Sequence, residues 1–306
     1  MNVADQNTED RSAEAPSKPP RRWRVFLVVL TVLLAVWFFY PRASDTSPLD
    51  GQVGSEEESL ATKTKDPQHP LDPALEFARA KLTELQENVR DYTATLIKRE
   101  RIGSRLRPKE WAQVKVRHER MVDGKKIPFS VYMKFLQPKA MAGREVIWVR
   151  GQNNDKLIAH ETGFKNLKRL YLVTDGWLAM LGNRYPITEI GIETLVKRLI
   201  EKGERDKKQG DCEVQILKGA TVGRACKVIR VIHPEKQPEF DFHIAEIFID
   251  KELNLPIRYA AYTWPKKKGG EPQVDEEYTY KDLKINVGLS DKDFDPANKE
   301  YKFPSW

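Results

Sequence analysis

The 306-residue chain contains only two cysteines, five histidines and five methionines. So few thiols exclude a disulfide-dense scaffold. With no C-x-x-C pair and no second ligand set, they also weigh against a zinc or redox centre. No Walker loop, nucleophile elbow, H-E-x-x-H helix, EF-hand loop or G-x-G-x-x-G turn occurs. That absence argues against an enzyme, and no cofactor or metal is expected. Charge of one sign is in small excess, 52 Lys and Arg against 45 Asp and Glu, a formal +7. With 40% hydrophobic residues, collagen, coiled coil and wholesale disorder are excluded by composition. Long hydrophobic runs are scarce too; there is one, and it decides the expected compartment.

Residues 25–40 are uncharged and almost wholly apolar, and Trp23 brings the stretch to about the lower limit for crossing a bilayer. Lys18, Arg21, Arg22 and Arg24 precede the run and only Arg42 follows closely. The positive-inside bias therefore predicts an uncleaved inner-membrane anchor, with 1–24 as a disordered cytoplasmic tail and everything after Tyr40 exported. A cleaved signal peptide is the main rival, poorly served by Pro41-Arg42-Ala43 as a cleavage site. Residues 41–70 are rich in Ser, Thr, Pro, Asp and Glu and carry a formal −3. They read as a flexible acidic tether, of roughly 30 Å root-mean-square span. The remaining segment, 71–306, carries +9 and is long enough to bury a core of its own.

Within 71–306 the pattern predicts helix, strands, helix, strands. Asp72-Pro73 offers a cap and a first helical proline, and Leu75, Ala78, Leu82, Leu85 and Val89 recur at spacings of three and four, giving a helix over about 73–91. Val114 and Val116, then Phe129, Val131, Met133 and Phe135, alternate with more polar residues as half-buried strands do. Further strands are expected at 144–150, 155–160, 168–173, 212–218, 225–233, 242–250, 255–263 and 275–285. A second helix follows Pro186, with Thr188 as its cap and Gly203 as its stop. This order argues for an α+β fold in which one curved antiparallel sheet is covered by a few helices, not for a parallel sheet.

Cys212 and Cys226 flank Gly219 symmetrically, so a hairpin turning at 218–220 would face them for a disulfide; two free core thiols are the alternative. His160-Glu161 and Asp241-x-His243 have a spacing that suits a metal or an acid-base pair, but such isolated strand histidines are more often structural. Lys165, Lys168 and Arg169, and Lys266-Lys267-Lys268, are basic runs that suit anionic lipid headgroups or acidic wall polymers, with solvated loops the favoured reading. Trp177-Leu-Ala-Met-Leu181 is oddly apolar for a loop and reads as a lid or a short buried helix. Nucleic acid is not an expected partner of an exported chain without stacking aromatics.

Asp91-Tyr92-Thr93-Ala94, Lys98-Arg99-Glu100-Arg101, residues 128–135, Gly143-Arg-Glu-Val146, Pro186-Ile-Thr-Glu189, Gly223-Arg-x-Cys226, residues 254–259 and Tyr278-Thr-Tyr-Lys-Asp-Leu283 together resemble the bacterial domain of unknown function 1571, over about 72–303. That family is distantly similar to the LolA/LolB periplasmic lipoprotein carriers. The resemblance implies a half-open antiparallel β-barrel covered by helices, with an apolar interior for a lipid or lipoprotein acyl chain. Val131, Met133, Phe135, Ile147, Val149, Phe248 and Tyr259 are the expected lining. The expected role is a non-catalytic, membrane-tethered lipid-binding module facing the periplasm. The alternative is an envelope scaffold that binds protein or acidic polymer without a lipid.

Overall fold

The computed structural model describes residues 69–305. The apolar run at 25–40, the tail before it and nearly all of the tether lie outside the described residues. Among those described, no helix is long and apolar enough to cross a membrane.

Helix α1 (Asp72–Asn88) has Pro73 in its first turn. Leu71 takes the cap position that Asp72 was expected to fill; the Asp72 carboxylate instead accepts the His69 backbone N–H at 3.0 Å and pairs with Lys207. Helix α2 (Ile192–Asp206) also starts without a side-chain cap, after a single 3-10 turn at Ile187–Glu189, so Thr188 is not its cap. The first backbone N–H groups of α2 are met from the sheet: Gly191 donates to the Tyr280 hydroxyl at 3.2 Å and Ile192 to the Tyr92 hydroxyl at 3.1 Å. Gly203 does not stop α2. It lies where the two helices touch, and a methyl group there would come within 2.8 Å of Leu75 Cδ2.

The strands are β1 (Asp91–Ile102), β2 (Arg105–Leu106), β3 (Glu110–Arg117), β4 (Arg120–Val122), β5 (Lys125–Ile127), β6 (Ser130–Gln137), β7 (Glu145–Val149), β8 (Leu157–His160) and β9 (Leu170–Leu172) before α2. After it come β10 (Glu213–Thr221), β11 (Ala225–Ile232), β12 (Ile244–Asp250), β13 (Pro256–Thr263) and β14 (Gln273–Ile285). Apart from the small β4–β5 hairpin they form one sheet in the order β10-β11-β12-β13-β14-β1-β3-β6-β7-β8-β9, with β2 beside β1. Every pairing is antiparallel. The two meanders join where β14 pairs with β1, and β9 and β10 are left as edges, so the sheet is open and does not close into a barrel.

Cross-strand partners share a face. Lys98, Tyr278, Tyr259, Ile247, Ile229 and Ile216 are successive partners across six strands. On that same face Tyr92, Val114, Val116, Val131, Met133 and Trp148 pack with Leu85, Val89, Ile192 and Val196 from the helices, all nearly inaccessible. This is the helix-bearing face. The other face is covered near β6 and β7 by the chain after β14: Tyr132, Ile147 and Val149 cluster with Phe294 and Tyr301, and the Tyr132 and Tyr301 rings stack at 4.2 Å.

The cysteines are free thiols. The β10–β11 hairpin turns at Val222–Arg224, with Gly223 at φ +69°, while Gly219 occupies a bulge. Cys226 therefore sits opposite Ala220 near the turn, whereas Cys212 precedes the Glu213–Ile232 pair at the other end. Along a strand that separation is roughly 20 Å, which no disulfide spans. Burial pushes the two thiols up, to about 12 for Cys212 and about 11 for Cys226. The unfolding midpoint is accordingly expected to be the same with and without reductant; a drop on reduction would contradict this register.

Candidate functional site

An open space lies beneath the first half of α1, between it, α2 and strands β11 to β13. It encloses 80 Å³ and is open on one side. Leu71, Ala74, Leu75 and Ala78 follow one stripe of α1, at spacings of three and four, and Val196, Leu199 and Gly203 do the same on α2. The floor is Ile229, Val231, Ala245, Ile247 and Ile249, which alternate along β11 and β12 as one face of a sheet must. A side chain at 203 would enter this space and meet Leu75, whose Cδ2 would lie 2.8 Å from an added Cβ.

Three charged residues border the cleft, Lys81, Lys202 and Asp206. Lys81 pairs with Glu84 along α1. Lys202 Nζ lies 3.5 Å from Glu276 and 3.6 Å from Asp241. Asp206 is 2% exposed; burial pushes its carboxyl up against the opposing pull of Arg205. Phe77, half-buried in the α1 wall, has the Lys227 ammonium 4.4 Å and the Lys81 ammonium 5.7 Å from its ring centre. The arrangement offers hydrocarbon contact inside a border of charged groups of both signs. Its volume is about half that of a cavity that accommodates benzene, so it holds a few methylenes and not a whole acyl chain.

None of the seven expected lining residues borders this cleft. Val131, Met133 and Phe135 do alternate onto the helix-bearing face, but there the space beneath the helices is filled by Leu85, Val89, Ile192 and Trp148. Tyr259 is on the same face, in the cluster that walls the cleft with Leu75, Ile229 and Ala245. Ile147, Val149 and Phe248 point to the opposite face, the first two under the chain after β14 and Phe248 beneath the Arg258 guanidinium at 5.4 Å. The α1 wall of the cleft is visible in sequence only as the apolar stripe of an amphipathic helix, through Leu75 and Ala78. Gly203, expected as the stop of α2, lies inside it and borders the gap.

Polar side chains concentrate elsewhere on the helix-bearing face. Lys98 Nζ is 3.4 Å from Glu100, 3.3 Å from Glu110 and 2.6 Å from Asn183 Oδ1, with all three charged residues buried. The Tyr278 hydroxyl donates to Glu100 at 2.6 Å, and the Arg184 backbone N–H donates to Glu100 at 3.0 Å. Burial would depress the Lys98 ammonium, but Glu110 and Glu100 override it and hold it above the ordinary lysine value.

His160 and Glu145 meet on the other face at 2.8 Å, joined by the Tyr132 hydroxyl at 2.7 Å. His243 Nδ1 donates to the His233 carbonyl, 2.8 Å away, and not to Asp241, whose carboxylate pairs with Arg205 at 2.8 Å. Among the described residues no group of three or more His, Cys, Asp or Glu is placed to hold a metal ion.

The family model described as "Protein of unknown function (DUF1571)" matches residues 89–303, and the chain belongs to that family. No curated protein matches it. Three solved structures are similar in part. A DUF1329 family protein from Desulfovibrio piger is 13% identical, covering 74% of this chain and 98% of that one, with a TM-score of 0.36. A putative outer membrane lipoprotein-sorting protein domain from Vibrio parahaemolyticus is 15% identical over 72% and 95%, TM-score 0.35. A LolA superfamily protein from Nitrosomonas europaea is 12% identical over 71% and 97%, TM-score 0.30.

Proposed function

We propose that this chain is a non-enzymatic module that receives part of the hydrocarbon tail of a lipid or lipoprotein in the cleft beneath α1. In this proposal residues 25–40 hold it at the periplasmic surface of the inner membrane. The observation that carries the reading is the cleft itself: three apolar walls, one open side and charged groups confined to its border. Each methylene transferred from water contributes about 0.8 kcal/mol, so the few that fit give weak binding, and a longer stretch of tail needs α1 to move off β11 and β12. The small volume favours the second reading, a scaffold for protein or acidic polymer, and the test separates the two.

Full-length protein carrying Gly203→Leu is compared with wild type in photo-crosslinking with a diazirine-bearing phospholipid. Wild type is expected to concentrate label on peptides from α1 and β12, and Gly203→Leu to reduce that label several-fold while leaving labelling of 25–40 unchanged. Label that is absent from α1 and β12, or indifferent to Gly203→Leu, would leave the scaffold reading standing.

A further inference from the structure

The connection from β9 to α2 plays no part in the cleft, which lies toward the other end of the sheet order. Between positions 167 and 181, six large apolar side chains are exposed: Leu167 (74%), Tyr171 (50%), Val173 (54%), Trp177 (69%), Leu178 (41%) and Leu181 (57%). Single exposed apolar residues are ordinary, but six in one short stretch are not. The stretch includes β9, an edge of the sheet.

The turn that displays the last three is anchored from beneath. Ala179 packs against the main core with Leu172 and Met141. The Met180 N–H donates to the Gly176 carbonyl at 2.9 Å and the Asn183 N–H to the Met180 carbonyl at 2.9 Å. Asn183 then ties the turn to the sheet, donating to the Ala179 carbonyl at 2.9 Å and accepting from the buried Lys98 at 2.6 Å. Trp177, Leu178 and Leu181 are therefore held outward on a fixed base, which lowers the ordering cost of binding.

We propose that this stretch docks on a bilayer surface containing anionic lipid, with Trp177, Leu178 and Leu181 entering the headgroup layer. Two observations select the bilayer. The first is charge: Lys165, Lys168 and Arg169 adjoin the apolar residues, and Asp175 is the single acidic residue between 162 and 183. Trp and Tyr with Leu beside Lys and Arg is the composition of interfacial anchors. The second is chain length. Residues 41–68 separate the apolar run from the first described residue; 28 residues can extend to at most about 90 Å, so anchoring at 25–40 leaves this surface able to reach the same membrane. The docking rests on that anchoring, not on occupancy of the cleft.

The test uses the full chain reconstituted in vesicles of phosphatidylcholine and phosphatidylglycerol in equal parts, some carrying a doxyl quencher on the acyl chain. A fluorophore is placed by Leu181→Cys, or as a control by Glu239→Cys on the exposed β11–β12 connection; both native cysteines are buried. The label at 181 is expected to be quenched several-fold more than the label at 239. Adding Lys168→Glu or Trp177→Ser to the Leu181→Cys chain should reduce that difference at least by half. Protein that does not float with the vesicles overturns both anchor and docking. Protein that floats while the two labels are quenched equally overturns docking alone and assigns the patch to a protein.

Discussion

Lys98→Met is expected to lower the unfolding free energy by about 3–5 kcal/mol, the usual cost of leaving a buried charge without its partner. The substitution nearly conserves length and apolar volume, so the loss comes from Glu100 and Glu110, which stay in a site from which water is excluded. Glu100 keeps the Tyr278 hydroxyl and the Arg184 N–H, whereas the ion pair of Glu110 is with Lys98 itself. Adding Glu100→Gln and Glu110→Gln to Lys98→Met is therefore expected to restore most of the stability, because neutral amides need no counter-charge. Because the folded lysine is held above its ordinary value, its contribution is full at neutral pH. It decays only as pH rises above the unfolded lysine range and through the folded value. Urea unfolding at pH 7 of wild type, Lys98→Met and the triple variant checks this. A single variant within about 1 kcal/mol of wild type would show that water reaches the carboxylates.

The same cluster explains why the centre of the sheet is hard to read in sequence. Tyr92, Ala94 and Leu96 alternate as a strand should, but Lys98-Arg99-Glu100-Arg101 follows, and four charges in a row look like a solvated segment. Their partners on β14 are remote: Glu100 lies opposite Glu276, and Lys98 opposite Tyr278. No local pattern encodes a pairing between residues 176 positions apart, so the sequence pattern predicts no strand over 92–102, and the helix expected to reach about 91 ends at Asn88. The later strands were legible because each turns on nearby Gly, Pro, Asn or Asp. The hairpin carrying the cysteines shows the limit of that signal, since Gly219 and Gly223 both suit a turn and only the register reveals which one is the bulge.

The candidate site was less legible for a different reason. Alternation assigns Val131, Met133 and Phe135 to one face, and they share it. Whether the space above a face is filled depends on how closely helices descend on it, which is decided by contacts such as Gly203 against Leu75. One end of the sheet is sealed by Leu85, Val89 and Ile192, and the other is left ajar, although both stretches of sequence carry the same period.

On the opposite face, acid is expected to release the chain after β14 before the sheet unfolds. Glu145 is completely buried. It accepts from the Tyr132 hydroxyl at 2.7 Å and the Lys302 backbone N–H at 2.5 Å and meets His160 Nε2 at 2.8 Å. Burial alone would raise its carboxyl, but these three partners override burial and hold it below the ordinary carboxylate range. The unfolded chain therefore binds a proton at a higher pH than the folded one. The resulting stability is fully present above the unfolded value of about 4.3, and is lost as pH falls through the lower folded value. The loss falls first on the segment Glu145 fastens, where Tyr301 stacks on Tyr132 and the Phe303 ring lies 4.6 Å from His160. Glu145→Gln removes the charge while keeping one acceptor, and is expected to cost roughly 2–4 kcal/mol at pH 7. Hydrogen exchange at 291–303, followed from pH 7 to pH 3, should show wild type losing protection only in the acid range. Glu145→Gln should start lower and change little with pH. Parallel curves for the two proteins would place the acid sensitivity on another carboxylate.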